Sequence, residues 1–220
     1  MKYVYLIGTF HYDPVGSEAL RKLLVKIKPD VIADELPVDI KSRLISFDGL
    51  AADILENINS NENSYKIFVP KFVKVIKKLV GYETVVIKEY VKITGIPVIN
   101  VDIESLDLCS ELKKNVAKFF AAMIRLFLTP NRDYTKQEVF DKATNYILEK
   151  FRGSDTTHDI PNNIYYERNK HMSNEIVKLL EKHDNCLFVG GAAHIFPIKN
   201  ILESENLEIN IKVYDLSLRV

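Results

Sequence analysis

Residues 4–35 read VYLIGTFHYDPVGSEALRKLLVKIKPDVIADE, and this stretch decides the fold. Tyr3 to Ile7 is a short apolar run of the kind that forms a strand buried on both faces of a parallel sheet. Gly8 and Thr9 punctuate it, Gly8 as the expected site of a sharp turn, and His11 follows. Ser17 is predicted to cap a helix running to about Lys28, with Leu20, Leu23, Leu24 and Ile27 on one face. Pro29 stops that helix, and Val31 to Ala33 forms a second strand ending at Asp34-Glu35. Strand, helix, strand in this order is a βαβ unit.

Outward from that unit, three more runs read as strands: Val98 to Val101, Cys186 to Val189, and Ile209 to Tyr214. Between them the spacing is helical. Ile40, Leu44 and Ile45 recur at helical intervals, as do Ile54, Leu55 and Ile58. Tyr65 to Val80 and Thr84 to Ile93 follow, parted by Gly81. Leu106 to Leu128, a helix from a Thr135 cap to about Phe151, Tyr165 to Lys182, and Phe196 to Ser204 complete the set, with residues 153–161 polar and loop-like. The expectation is one α/β domain over 1–220, with a mostly parallel central sheet. Helical insertions at about 38–95 and 104–183 are expected to form a cap.

Composition narrows the class. Of 220 residues 47% are apolar, which supplies a core and argues against general disorder. Thirty basic residues balance thirty acidic ones, so neither nucleic acid nor an anionic membrane is an expected partner. Lys71, Lys74, Lys77 and Lys78 read as the wet side of an amphipathic helix with Phe72, Val73, Val75, Ile76 and Leu79 inside. Cys109 and Cys186 are isolated and read as buried thiols of a reducing, cytoplasmic setting. No signal-peptide layout opens the chain. The most apolar stretch, Val116 to Leu128, is too short to cross a bilayer. Homo-oligomer formation is left open.

The chemistry-bearing residues gather at strand ends, where ligands bind in open parallel sheets. His11 there can ligate a metal, act as a base or be structural, with Asp13 near enough to orient it. Asp34 and Glu35 point to opposite faces of an extended strand, and Glu35 is the one expected to reach the site, as ligand or general base. Glu167 and His171 share a helix face and can hold a metal or form an ordinary surface contact. Arg168 can clamp a carboxylate or make an exposed ion pair of little worth, and Asn169 lies beside it. Gly190-Gly191-Ala192-Ala193 is small enough for a ligand to approach the backbone, and His194 follows. Patterns for nucleotide loops, serine-nucleophile elbows and HExxH zinc sites are absent.

Taken in order, Gly8-Thr9-Phe10-His11, Pro29 to Leu36 ending in Glu-Leu, Glu167-Arg168-Asn169, and Val189 to Ile195 resemble the four motifs of the TraB/PrgY family. That family is grouped with the Tiki, ChaN-like and erythromycin-esterase proteins. The resemblance implies a parallel α/β core with helical insertions and a metal-dependent hydrolase. His11, Glu35 and His194 become the metal-site residues, and Glu35, Glu167, Arg168 and Asn169 line the reaction centre. Gly8, Thr9, Gly190 and Gly191 would face substrate. The implied cofactor is a divalent metal, Mn, Co or Zn; the implied partner is a peptide or small-molecule substrate. The chain departs from the family in having Ile103 after Asp102, where many relatives carry Arg, and in lacking the membrane segments of some TraB proteins. Two other functions stay open: a non-catalytic peptide-binding or pheromone-shutdown regulator, and a metal-free esterase-like hydrolase using a histidine as base.

Overall fold

The computed structural model describes residues 1–13, 15–35, 49–60, 62–103, 106–129, 131–152, 162–205 and 207–216, the side chains of 106–115, 151–152 and 162–164 apart. The helical spacing at Ile40, Leu44 and Ile45, the loop at 153–161 and the Cys109 side chain fall outside these limits. The strands are β1 (Lys2–Thr9), β2 (Val31–Asp34), β3 (Val98–Asn100), β4 (Asn185–Gly191) and β5 (Ile209–Asp215). The helices are α1 (Gly16–Ile27), α2 (Leu50–Ile58), α3 (Asn63–Leu79), α4 (Tyr82–Thr94), α5 (Leu106–Phe127), α6 (Gln137–Arg152), α7 (Asn162–Leu180) and α8 (Ala192–Ser204).

The chain divides into two compact units. The first, from Met1–Ile40, Gly81–Glu104 and Ile160–Val220, holds the sheet. All five strands are parallel, in the order β3-β2-β4-β1-β5. Alternation along the strands sorts the apolar side chains. Val4, Leu6, Val31, Ala33, Cys186 and Phe188 meet Met172 and Ile176 of α7 and Ile195, Ile198 and Leu202 of α8 on one face. Ile7, Ile32, Leu187 and Val189 meet Leu20 and Leu24 of α1 and Val86 and Ile87 of α4 on the other. The neighbouring strands β1 and β4 therefore lead into helices on opposite faces, α1 and α8. Their carboxyl ends part at a topological switch point, where an open parallel sheet forms its crevice.

The second unit, Lys41–Val80 and Ser105–Asp159, is helical. Its core includes Phe68, whose ring centroid lies 5.3 Å from each of Phe72, Tyr134 and Phe140. Phe72 and Ile76 are buried while Lys74 and Lys78 are exposed, as an amphipathic α3 requires. Helices α4 and α7 pack on the sheet.

Three boundaries differ from the sequence reading. Gly8 is not a turn: it lies within β1, where a Cβ would stand 2.9 Å from the Ala192 Cα and 2.8 Å from Ile195 Cδ1. Its smallness serves close packing of β1 on α8. Helix α1 begins at Gly16 rather than after a Ser17 cap, because Asp13 turns the chain beforehand by accepting the Val15 amide at 3.0 Å. Lys28 ends α1 in the left-handed region (φ 52°), since Pro29 bars its preceding residue from the helical one. Helix α8 begins at Ala192, not Phe196. Pro197 falls within it and removes the amide that would bond the Ala193 carbonyl; the Tyr165 hydroxyl of α7 donates to that oxygen instead.

Gly8→Ala is expected to lower unfolding free energy by about 1–3 kcal/mol through overpacking. The check is a urea titration in which the midpoint falls and the slope holds.

Candidate functional site

Glu35 stands at the centre of the crevice. It follows β2 and continues its alternation, so its side chain falls on the α7/α8 side, where Val31 and Ala33 also point. The Gly191 amide donates to Oε2 at 2.5 Å. Arg168 Nη2 donates to Oε1 at 3.1 Å. Arg168 also grips Asp102 with two donors, Nε to Oδ1 at 3.1 Å and Nη2 to Oδ2 at 2.7 Å. This is the paired geometry that guanidinium favours.

Both histidines expected at strand ends converge on this carboxylate. His194 Nε2 lies 3.4 Å from Glu35 Oε1, and His11 Nε2 lies 4.0 Å from Oε2. Each ring is held from behind through Nδ1. Asn169 Nδ2 donates to the Tyr165 carbonyl at 2.8 Å, which turns Oδ1 toward His194 Nδ1 at 2.7 Å. That nitrogen must then be the protonated one, leaving a lone pair on Nε2. His11 Nδ1 lies 2.8 Å from Glu83 Oε1, so a proton there is accepted by the carboxylate and Nε2 again keeps its lone pair. Tyr165 covers the His194 ring, the centroids being 5.1 Å apart.

Burial sets the charges. It lowers the affinity of His194 for a proton, and the nearby Arg168 adds to this against the pull of Glu35, so the imidazole is neutral at pH 7. Burial pushes the Glu35 carboxyl up, yet His194 and His11 when they carry a proton, together with Arg168 and the Gly191 amide, outweigh it and hold it well below the ordinary carboxylate range. Burial opposes the charge on Arg168, but Asp102 and Glu35 more than restore it.

The glycines complete the crevice. A Cβ on Gly190 would fall 2.6 Å from Glu35 Oε2 and 2.5 Å from Phe188 Cζ. On Gly191 it would fall 3.1 Å from His11 Nε2, 3.6 Å from Glu35 Oε2 and 3.6 Å from His194 Cδ2. Gly191 has φ −58°, open to any residue, so what its lack of a side chain provides is space among those three groups. The Thr9 hydroxyl, which was expected to face substrate, lies instead between two acceptors, Glu83 Oε1 at 2.9 Å and the Gly190 carbonyl at 3.0 Å.

Of the expected site residues, His11, Glu35, Arg168, Asn169, His194, Gly190 and Gly191 come together. Glu167 does not: it is exposed, one helical step away from the inward side of α7 that buries Arg168 and Asn169. Asp13 is occupied with the Val15 amide, and Glu83 takes the orienting role at His11. Sequence reasoning missed Glu83, Asp102 and Tyr165 as site residues. Only Asp102 carried a signal, its place just past β3. Comparison with protein-family models, curated proteins and solved structures finds no match to this chain.

His194 takes up a proton on unfolding once pH drops below its ordinary 6.5, so the unfolded chain binds more protons and stability falls as pH falls. Glu35, held below its ordinary 4.5, adds a second loss beneath that value. His194→Gln is expected to flatten the decline in urea midpoint between about pH 7 and pH 5. An unaltered slope would contradict the buried neutral imidazole.

Proposed function

We propose that this chain is a metal-dependent hydrolase of the TraB/PrgY kind, acting on a peptide or a related amide or ester bond. One observation carries the reading. Two imidazoles, each with Nδ1 facing an acceptor oxygen behind it, turn Nε2 toward one buried carboxylate across a space that Gly191 leaves open.

The donor set fits a divalent ion held by His11, Glu35 and His194. Metal bonds of about 2.0–2.2 Å place tetrahedral donors roughly 3.3–3.5 Å apart. The 3.4 Å between His194 Nε2 and Glu35 Oε1 meets that spacing; the 4.0 Å from His11 Nε2 to Oε2 asks the exposed side of the site to close. His11 is the ring free to do so, its side chain being 26% exposed against 6% for the other two. Charge favours the same ligand. Around the two imidazoles stand three carboxylates, Glu35, Glu83 and Asp102, and one guanidinium, Arg168. Zn²⁺, Mn²⁺ and Co²⁺ all suit imidazole and carboxylate donors.

Such an ion, when bound, acidifies water and polarises the scissile carbonyl. The chain's own residues supply the rest. Glu35, ionised at neutral pH, would hold the ion and orient an attacking water beside it. Arg168 fixes Glu35, and Asn169 and Tyr165 fix His194. Substrate would enter from the His11 side, the more exposed one, toward the space beside Gly191. Glu167 has no part in this scheme.

A second reading, the metal-free hydrolase, draws on a different fact. Both Glu35 oxygens already have donors, and among the described residues no three His, Cys, Asp or Glu side chains stand ready to hold an ion without adjustment. His194 Nε2 would then serve as general base. Activity that survives EDTA would favour this reading.

Untagged protein is expected to hold a divalent metal by mass spectrometry, and His11→Ala and His194→Ala each to lose it along with peptide or ester hydrolysis. Unchanged content and turnover in both variants would remove the proposal. Gly191→Ala should fold like the parent, its φ suiting alanine. Zinc uptake should nonetheless fall at least about tenfold as the methyl enters the ligand space.

A further inference from the structure

We infer that Glu83 is the positioning residue of this centre, the group that sets His11 as a ligand; the inference rests on the reading of His11 as a metal ligand. Glu83 lies in the first turn of α4, on the opposite side of the sheet from Arg168 and Asn169. It is fully buried. Its Oε1 lies 2.8 Å from His11 Nδ1 and 2.9 Å from Thr9 Oγ1. Its Oε2 is buried and has no hydrogen-bond partner among the described residues.

That second oxygen is the telling atom. A buried carboxylate half of whose acceptors stand empty is costly, and burial without compensation is usually removed from a fold. A glutamine would accept the same Nδ1 proton without bringing a charge into the interior. What a carboxylate adds is negative charge directly behind the imidazole. It keeps the proton on Nδ1, fixes the ring angle and makes Nε2 a stronger donor. Carboxylates stand in this relation to ligating histidines, and their loss typically weakens metal affinity 10–100-fold.

The two histidines are therefore unequal. His194 is backed by the neutral Asn169 amide and is buried, whereas His11 is backed by a carboxylate and is the more exposed. The ring with the greater freedom is the one given the stronger electrostatic hold. Thr9 completes the arrangement, because its hydroxyl ties Glu83 Oε1 to the end of β1 from which His11 departs.

The test uses the full chain free of metal, with isotope-labelled histidine, and Zn²⁺ alone as the probe. Nitrogen NMR reads the His11 tautomer, assigned by comparison with His11→Ala; competition with a chromophoric chelator reads zinc affinity. The parent is expected to show His11 protonated on Nδ1. Glu83→Gln, which keeps volume and acceptor, should keep that tautomer and bind zinc about tenfold more weakly; Glu83→Leu should lose the tautomer and bind up to about 100-fold more weakly. His11 protonated on Nε2 in the parent would overturn the assignment. So would a tautomer and affinity unchanged in both variants. If no form binds zinc while the tautomer still follows Glu83, the metal-centre reading falls and the pairing of Glu83 with His11 stands.

Discussion

An ionised carboxylate at the bottom of a crevice survives only where donors meet it from several directions, and Glu35 has them. The Gly191 amide reaches it from the end of β4, Arg168 from α7, and the two imidazoles flank it. These four groups, of which Gly191 and Arg168 are the donors, come from four separate stretches of the chain. Their meeting requires the register that sets β2 beside β4 and β4 beside β1. A slip of one residue along the β2/β4 ladder would turn Glu35 to the α1/α4 face and leave Arg168 and Asp102 as a pair with nothing to orient. The polar centre and the strand order are thus one constraint seen at two scales.

Arg168 shows how the centre tolerates a permanent cation beside the proposed metal site. Its guanidinium is gripped at two nitrogens by Asp102 before it reaches Glu35. The pair is close to neutral as a unit, so it can brace the carboxylate without strongly repelling a second positive charge. It also redefines the residue. The sequence pattern suggests a clamp for a carboxylate, and the carboxylates it holds are the protein's own Asp102 and Glu35, which makes Arg168 a brace within the protein.

The strands and the residues at their ends were legible because both signals are local. Apolar runs closed by glycine or an acid mark the edges, and simple alternation selects Glu35 over Asp34. Side-chain roles within helices were less legible. Arg168, Asn169 and Glu167 are consecutive, and only the packing of α7 on the sheet decides that the first two face inward and the third does not. Glu83 had no local mark at all, since an acid in the first turn of a helix is commonplace. Its part depends on α4 lying against β1, a contact across more than seventy residues. The start of α8 was missed for a similar reason: the two glycines read as a loop, but they finish β4, and the alanines after them are already helical.

The proline in α8 leaves a mark on a different helix. By withholding an amide from the Ala193 carbonyl it creates an acceptor that the Tyr165 hydroxyl fills, and Tyr165 in turn supplies the carbonyl that holds Asn169 against His194. Positions 165 and 197 are consequently bound in one evolutionary bargain. In a descendant with an ordinary residue at 197 the helix would reclaim its own carbonyl, the hydroxyl would lose its purpose, and phenylalanine would serve at 165 as well as tyrosine.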